Sequence, residues 1–136
     1  LRRQRRRAGL GRRRRSGLAR MTIARGTIVD VNLEPTRGSE TGKTRPAIVV
    51  TNNRYNLRVP ILQVVPLTAY SKKKAAIITN VVVAPSKRNG LSKKSVADCL
   101  QTRPIDRRFR LVGIRGELEE DNLRAVDEAL RVLFSL

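Results

Sequence analysis

The side chains available for chemistry in this chain are arginine, lysine, serine, threonine and the carboxylates, because histidine is absent and there is one cysteine. The missing imidazole excludes a histidine acid–base pair, a Ser-His-Asp triad and a histidine-rich zinc site. One cysteine excludes an intrachain disulfide framework and a cysteine-cluster metal site. The 11 acidic residues offer no metal cluster, since they are scattered or lie near the C-terminal end. What remains is chemistry on an anion held by guanidinium and ammonium groups.

The charge balance points to a polyanionic partner. The chain has 136 residues, with 30 Lys+Arg against 11 Asp+Glu and a formal net charge of +19. Its length fits one domain. Its apolar fraction of 40% suffices for a small core, and no apolar run approaches the ~18 residues of a membrane span. We therefore expect a soluble, cytoplasmic protein from a reducing compartment, with no membrane partner.

Residues 1–20 differ from the rest of the chain, since they contain ten arginines and no acidic residue. A segment with so much like charge and so little apolar material is expected to be disordered. It could be an arm that binds phosphates, a targeting segment, or an extension outside the true reading frame. We favour the last interpretation, because the only methionine is Met21, where periodic sequence begins. Residues 21–136 are then expected to form a single domain.

From residue 21 onward, short apolar segments separated by turn residues predict strands. A turn-rich loop is expected over 34–43, another loop over 52–56 and a basic loop over 72–74, with a turn at Asn89-Gly90. Pro66 is expected to end the third strand, and Asn80 is expected to bend the fourth. The predicted strands are 27–33, 47–51, 61–65, 77–83, 95–100 and 110–114.

The C-terminal end changes to a helical period, because Leu123, Val126, Leu130 and Leu133 follow one another at helical spacing. Acidic residues crowd its start, where they complement the helix dipole. Five or more short strands closed by a helix predict a mainly β, barrel-like domain with a C-terminal helix.

Such a small basic barrel could be a ribosomal protein, an RNA chaperone or a nuclease. The chain has no tryptophan, two tyrosines and two phenylalanines. It therefore lacks a platform on which successive bases could stack, which disfavours passive single-strand binding by stacking.

An ordered set of short motifs narrows the choice. In chain order the main ones are Arg25-Gly26, Leu33-Glu34-Pro35, Gly38-Ser39-Glu40, Arg45-Pro46 before an apolar strand, Asn52-Asn53, Pro66-Leu67-Thr68, Gly90-Leu91, Gln101, Ile105-Asp106 and Gly116-Glu117-Leu118. At these spacings the set resembles the MazF/PemK family of toxin–antitoxin ribonucleases, and the resemblance runs from about residue 22 to residue 136.

The resemblance implies an SH3-like barrel of the MazF/PemK (CcdB-like) type with added strands, a C-terminal helix and a homodimeric assembly. It implies a sequence-specific, metal-independent endoribonuclease that needs no cofactor and cuts single-stranded mRNA. Cleavage by 2′-hydroxyl attack would leave a 2′,3′-cyclic phosphate and a 5′-hydroxyl. A cognate MazE-like antitoxin would neutralise the enzyme by laying an acidic C-terminal tail across the RNA groove.

The resemblance also assigns catalytic residues. Arg45 matches the family's catalytic arginine, Thr68 its catalytic threonine or serine, and Glu40 an acidic loop residue that supports activity in some members. The chain departs from the family pattern at Thr27, Thr41 and Pro104. The RNA contacts are expected in loops 34–44, 51–60 and 70–75. The candidate RNA-binding residues are Arg25, Lys43, Asn52, Asn53, Tyr70, Lys72, Lys73 and Lys74.

Two other classes of function stay open. A non-catalytic RNA- or ribosome-binding protein would bind RNA without cutting it and would be indifferent to Thr68→Ala. A gyrase-poisoning toxin on the same fold would act chiefly through the C-terminal helix and would need neither Arg45 nor Thr68.

Overall fold

The computed structural model describes residues 22–136, so the expectations for residues 1–20 and Met21 lie outside the described residues. The strands are β1 (Thr27–Asn32), β2 (Thr44–Val49), β3 (Ile61–Ala69), β4 (Asn80–Val83), β5 (Ser95–Asp98), β6 (Arg103–Asp106) and β7 (Leu111–Glu117). The helices are α1 (Asn53–Arg58), α2 (Lys72–Ala75), α3 (Arg107–Arg110) and α4 (Glu120–Phe134), with a 3₁₀ turn at Cys99–Gln101.

The strands form one bent antiparallel sheet in the order β4-β5-β3-β2-β1-β7, with β6 paired to β3. The long strand β3 joins its two halves, because residues 61–64 pair with β6 and residues 67–69 pair with β5. Within residues 22–136, β4 and β7 do not pair with each other, so the sheet is not a closed barrel. The predicted class, mainly β with a C-terminal helix, is confirmed.

The central strands are buried on both faces, because successive side chains of a strand point to opposite sides. One apolar cluster joins the sheet to α4 and includes Ile28, Ile48, Val65, Leu67, Val126 and Ala129. The second lies on the other face and includes Val29, Val31, Ala47, Val49, Leu62, Val64, Ile105 and Leu111. Two-sided burial explains why the sequence of β2 is continuously apolar from Ala47 to Val49.

Helix α4 confirms the helical period at the C-terminal end. Val126 is buried, and Leu123 and Leu130 pack against the cluster that includes it. Acidic residues occupy its first turn, and Ser135 ends it with a left-handed backbone conformation. No helix in the described part of the chain has the length and hydropathy needed to cross a membrane.

The prediction that Pro66 ends the third strand is wrong. Strand β3 continues to Ala69, and Pro66 lies opposite Ala47 of β2. The Val50 N–H donates to the Gln63 carbonyl at 2.9 Å, so odd-numbered positions of β3 bond to β2. The nitrogen of Pro66, which carries no hydrogen, therefore faces the other edge of β3. It lies there between the residues that pair with β6 and those that pair with β5, so no ladder hydrogen bond is lost.

Other boundaries also differ from prediction. The segments 52–56 and 72–74 were predicted as loops, but they lie mainly in α1 and α2, each of which begins after a side-chain cap. The fourth strand begins at Asn80 rather than at residue 77. The side chains of Ile77 and Ile78, which precede it, are exposed. The fifth strand ends at Asp98, and the last one runs on to Glu117. Strand β6 and helix α3 were not predicted.

Candidate active site

Arg45 and Thr68 lie on the same pocket, of about 210 Å³, between β2 and β3. The paired register of the two strands ends at Ala47 opposite Pro66, and Arg45 and Thr68 each follow two residues further along. There β3 pairs with β5 while β2 remains on β1, so the two strands separate and the pocket opens. The pocket is lined by Thr44, Arg45, Pro46, Leu67, Thr68, Ala69, Leu91, Ser92, Lys93, Ser95 and Arg115.

The hydroxyl of Thr68 is held by a lysine of the neighbouring helix. Thr68 is only 7% exposed, and its Oγ1 accepts a hydrogen bond from Lys74 Nζ at 3.2 Å. The main chain of Lys74 is fixed in turn, since its N–H donates to Ser71 Oγ and its carbonyl accepts from Asn80 Nδ2. The predicted basic segment therefore delivers one ammonium group to the predicted catalytic hydroxyl.

A second guanidinium in the pocket was not predicted from the sequence. Arg115 Nε donates to Asp30 Oδ1 at 3.0 Å, and Arg115 Nη1 donates to the Gly90 carbonyl at 3.2 Å. Gly90 has φ +68°, and an added Cβ would lie 2.4 Å from the carbonyl oxygen of Arg115. The predicted Asn89-Gly90 turn is therefore glycine-dependent at the point where it packs on β7.

The pocket carries excess positive charge. Within residues 22–136, Arg45, Lys74 and Lys93 form no ion pair, and Arg115 is paired with Asp30. Unpaired cations beside a hydroxyl suit an anion such as a phosphodiester.

Arg45 is positioned by the loop before β2. Its Nε donates to the Gly42 carbonyl at 2.7 Å. A Cβ on Gly42 would lie 2.3 Å from Glu34 Oε2, so the exposed side chain of Glu34 would have to shift to accommodate it. Glu34 Oε2 also accepts from Lys43 N–H at 2.6 Å, and this bond lowers the pKa of Glu34.

Glu40 is not among the pocket-lining residues. It is exposed on the loop between β1 and β2, and its Oε1 accepts from the Arg37 N–H at 2.6 Å. Gln101 clamps this loop, since its Oε1 accepts from Thr41 N–H at 3.2 Å and its Nε2 donates to the Ser39 carbonyl at 3.1 Å. The structure thus brings Arg45 and Thr68 together without Glu40.

Three predicted RNA-binding residues have structural bonds. The guanidinium of Arg25 donates to both carboxylate oxygens of Asp127 in α4, and its Nε donates to the Val50 carbonyl. Asn52 caps α1, and Asn53 Oδ1 accepts from the Arg25 N–H at 2.7 Å. These bonds tie α1 and α4 to the end of β2.

The remaining candidates are exposed residues that are not among those lining the pocket. Lys72 and Lys73 are exposed on α2, and Tyr70 is 36% exposed. Lys94 Nζ lies 4.0 Å from the centre of the Tyr70 ring. Lys43 is exposed and adopts φ 68° at the end of the loop that positions Arg45.

Sequence reasoning missed Arg115, Lys93 and Ser95. A signal existed for Arg115, because Asp30 interrupts the apolar sequence of β1 and requires a partner when strands cover it. For Lys93 and Ser95 the approach of β5 to β3 decides the position, and no local pattern reports it. Among residues 22–136, no group of three or more His, Cys, Asp or Glu side chains could hold a metal ion.

Comparison with known proteins gives the class of protein. A family model described as PemK-like, MazF-like toxin of type II toxin-antitoxin system matches residues 24–134. Endoribonuclease EndoA of Bacillus subtilis (strain 168) is 34% identical over 116 residues, which cover 85% of this chain and 97% of that protein. The chain therefore belongs to the PemK-like, MazF-like family of toxins of type II toxin–antitoxin systems, as its motifs predicted.

Solved structures agree on the fold. MazF (Form-I) from Deinococcus radiodurans superposes with a TM-score of 0.70 at 24% identity and covers 85% of this chain and 99% of its own. A MazE-MazF structure (Form-II) from the same organism gives a TM-score of 0.65 at 26% identity, over 85% of this chain and 98% of that one. The predicted MazF/PemK-type fold class is thereby confirmed, although the sheet of residues 22–136 is not closed into a barrel.

Proposed function

We propose that this toxin is a sequence-specific endoribonuclease that cuts single-stranded mRNA without a metal ion. The observation that carries the proposal is the shared pocket of Arg45 and Thr68, which is basic and holds no acidic side chain in its lining. The relative named Endoribonuclease EndoA supports the same activity. The products would be a 2′,3′-cyclic phosphate and a 5′-hydroxyl.

The reaction is an internal transfer. The 2′-oxygen loses its proton and forms a bond to phosphorus, the bond from phosphorus to the 5′-oxygen breaks, and that oxygen gains a proton. Arg45 neutralises the phosphorane, because a guanidinium is planar, always charged and able to hold two phosphate oxygens. The Thr68 hydroxyl donates to a phosphoryl oxygen from the wall of the pocket.

Glu40 is the proposed base for the 2′-hydroxyl, because it is the only carboxylate among the three predicted catalytic residues. The loop that carries Glu40 would have to bring it toward the pocket when RNA binds. In the free protein the side chain of Gln101 fixes this loop through its bonds to Ser39 and Thr41.

The proposed partners follow from the charge. A single RNA strand would cross the pocket and contact the exposed lysines of α2. An acidic antitoxin tail would compete for the same cations, and MazE-MazF structures of relatives support such a complex. A homodimer in the cytoplasm is part of the proposal.

Cleavage of a long single-stranded RNA by three variants tests the assignment. Arg45→Ala and Thr68→Ala should each lower the rate by at least about 100-fold, the effect of removing one transition-state donor. Arg124→Ala, which removes an exposed charge of α4, is the control and should cleave at a rate within a fewfold of wild type. Full activity in either pocket variant, with its fold intact by circular dichroism, would overturn the assignment. Bound but uncut RNA would favour a non-catalytic RNA-binding protein.

A further inference from the structure

We infer that Lys74 is a positioning residue that fixes the direction of the Thr68 hydroxyl and makes it a hydrogen-bond donor toward the pocket. The inference rests on the proposed ribonuclease function and goes beyond general phosphate binding by the basic segment. It starts from one contact, the 3.2 Å between Lys74 Nζ and Thr68 Oγ1.

The direction of that hydrogen bond follows from the two groups. A lysine ammonium has three donors and no acceptor, so the oxygen of Thr68 must accept. Its own hydroxyl proton then points away from the ammonium. No acceptor within residues 22–136 takes this proton in the structure, and Thr68 lines the pocket. The proton is therefore available to a phosphoryl oxygen, and the adjacent positive charge strengthens the bond it makes.

Both partners of the hydrogen bond between Lys74 and Thr68 are held in place. Thr68 is β-branched, nearly buried and paired with Val96 in β5, so its side chain has little rotational freedom. Lys74 is held through its N–H by Ser71 and through its carbonyl by Asn80. In contrast, Lys72 and Lys73 of the same helix are exposed, and neither makes a side-chain hydrogen bond within residues 22–136.

The contrast between Lys74 and the exposed Lys73 provides a matched control within one helix. Lys73→Met removes the same charge from the same helix without changing the contact with Thr68. We therefore expect it to weaken RNA binding and to leave the chemical step unchanged. If Lys74 acts through Thr68, Lys74→Met must lower the rate of the chemical step as well. Lys74→Arg keeps a charged donor and should restore part of that rate.

The test measures kcat and KM of the full-length protein on an oligonucleotide that contains the cut site found with wild type. Affinity is measured separately on the same oligonucleotide with a 2′-deoxy nucleotide at that site. We expect Lys74→Met to lower kcat by about 10- to 100-fold, the range for loss of one charge-assisted hydrogen bond. Lys73→Met should raise KM alone, and Lys74→Arg should recover at least part of the lost kcat.

The outcomes separate the two claims. A wild-type protein that does not cleave RNA overturns the proposed function, and the inference with it. An active wild type with an unchanged kcat in Lys74→Met overturns the inference alone. Equal losses of kcat in Lys74→Met and Lys73→Met also overturn it, because general charge would then explain the effect.

Discussion

The guanidinium of Arg115 on β7 is held 3.0 Å from Asp30 Oδ1 on β1, and it faces the same pocket as Arg45 and Thr68. Both side chains of the pair are less than one third exposed. The carboxylate fixes the orientation of the guanidinium, and the Gly90 carbonyl holds its Nη1. The pair therefore holds a preoriented cation at the wall of the pocket, where the proposed function would place an RNA phosphate.

Arg115→Met should weaken RNA binding and reduce its salt dependence. Loss of one phosphate contact on a single strand reduces the slope of log K against log salt by about 0.7. The measurement is fluorescence anisotropy with a non-cleavable RNA between about 50 and 200 mM salt. Arg124→Met, which breaks an exposed ion pair with Asp121 on α4, is the control and should leave the slope unchanged. An unchanged slope in Arg115→Met would mean that Arg115 does not contact RNA.

Arg25 is expected to contribute to stability rather than to RNA binding, because it does not line the pocket as Arg115 does, and its guanidinium and Nε bond to Asp127 and Val50. Arg25→Met should lower the free energy of unfolding by about 1 to 2 kcal/mol, since a partly buried carboxylate loses its partner. Urea unfolding measures this value, with Arg124→Met again as the exposed control at about 0.5 kcal/mol or less. A loss of RNA affinity without a loss of stability would contradict this account and would show that Arg25 binds RNA.

Cys99 should make the protein sensitive to alkali. Burial raises the pKa of its thiol from 9.0 to about 11, with the Asp98 charge adding to the effect. Between these pH values the unfolded chain ionises while the folded chain stays protonated, so stability is lost as the pH rises. The free energy of unfolding of wild type should fall relative to Cys99→Ala by up to about 2 kcal/mol over this range. Parallel pH profiles for the two proteins would contradict this account.

Glu40→Gln removes the proposed base but keeps a side-chain oxygen that can accept the loop hydrogen bond. The amide oxygen can still accept from the Arg37 N–H, so the loop keeps its shape while the base is lost. We expect kcat to fall by about 100-fold with little change in affinity for a non-cleavable RNA. Single-turnover cleavage measures the rate. A wild-type rate would assign proton removal to another group.

Local patterns were sufficient to predict β1 and α4: Val29 and Val31 are buried in β1, Val126 is buried in α4, and Leu123 and Leu130 pack against the core. They failed for α1 and α2, which are too short for a helical period and depend on the caps Asn52 and Ser71. They failed at Pro66, because a proline is tolerated where a strand changes partners, and pairing partners are not visible in the sequence.

The residues of the candidate site were also predictable from the sequence only in part. Arg45 and Thr68 could be proposed from motifs and a family resemblance, and the separation of β2 from β3 brings them to one pocket. Arg115 and Lys74 depend on side-chain contacts across strands or turns, to Asp30 and to Thr68 respectively. Such contacts arise from tertiary packing, so the sequence indicates the basic character of the site but not which cation meets which group.

The most direct test of the central claim is the chemistry of the RNA ends. The full-length protein is incubated with a long single-stranded RNA in excess chelator, and the fragments are read by mass spectrometry. The account predicts discrete cuts at one short sequence, with 2′,3′-cyclic phosphate and 5′-hydroxyl ends, which Arg45→Ala and Thr68→Ala do not produce. Intact RNA, or cleavage that needs added metal and leaves 5′-phosphate ends, would contradict it.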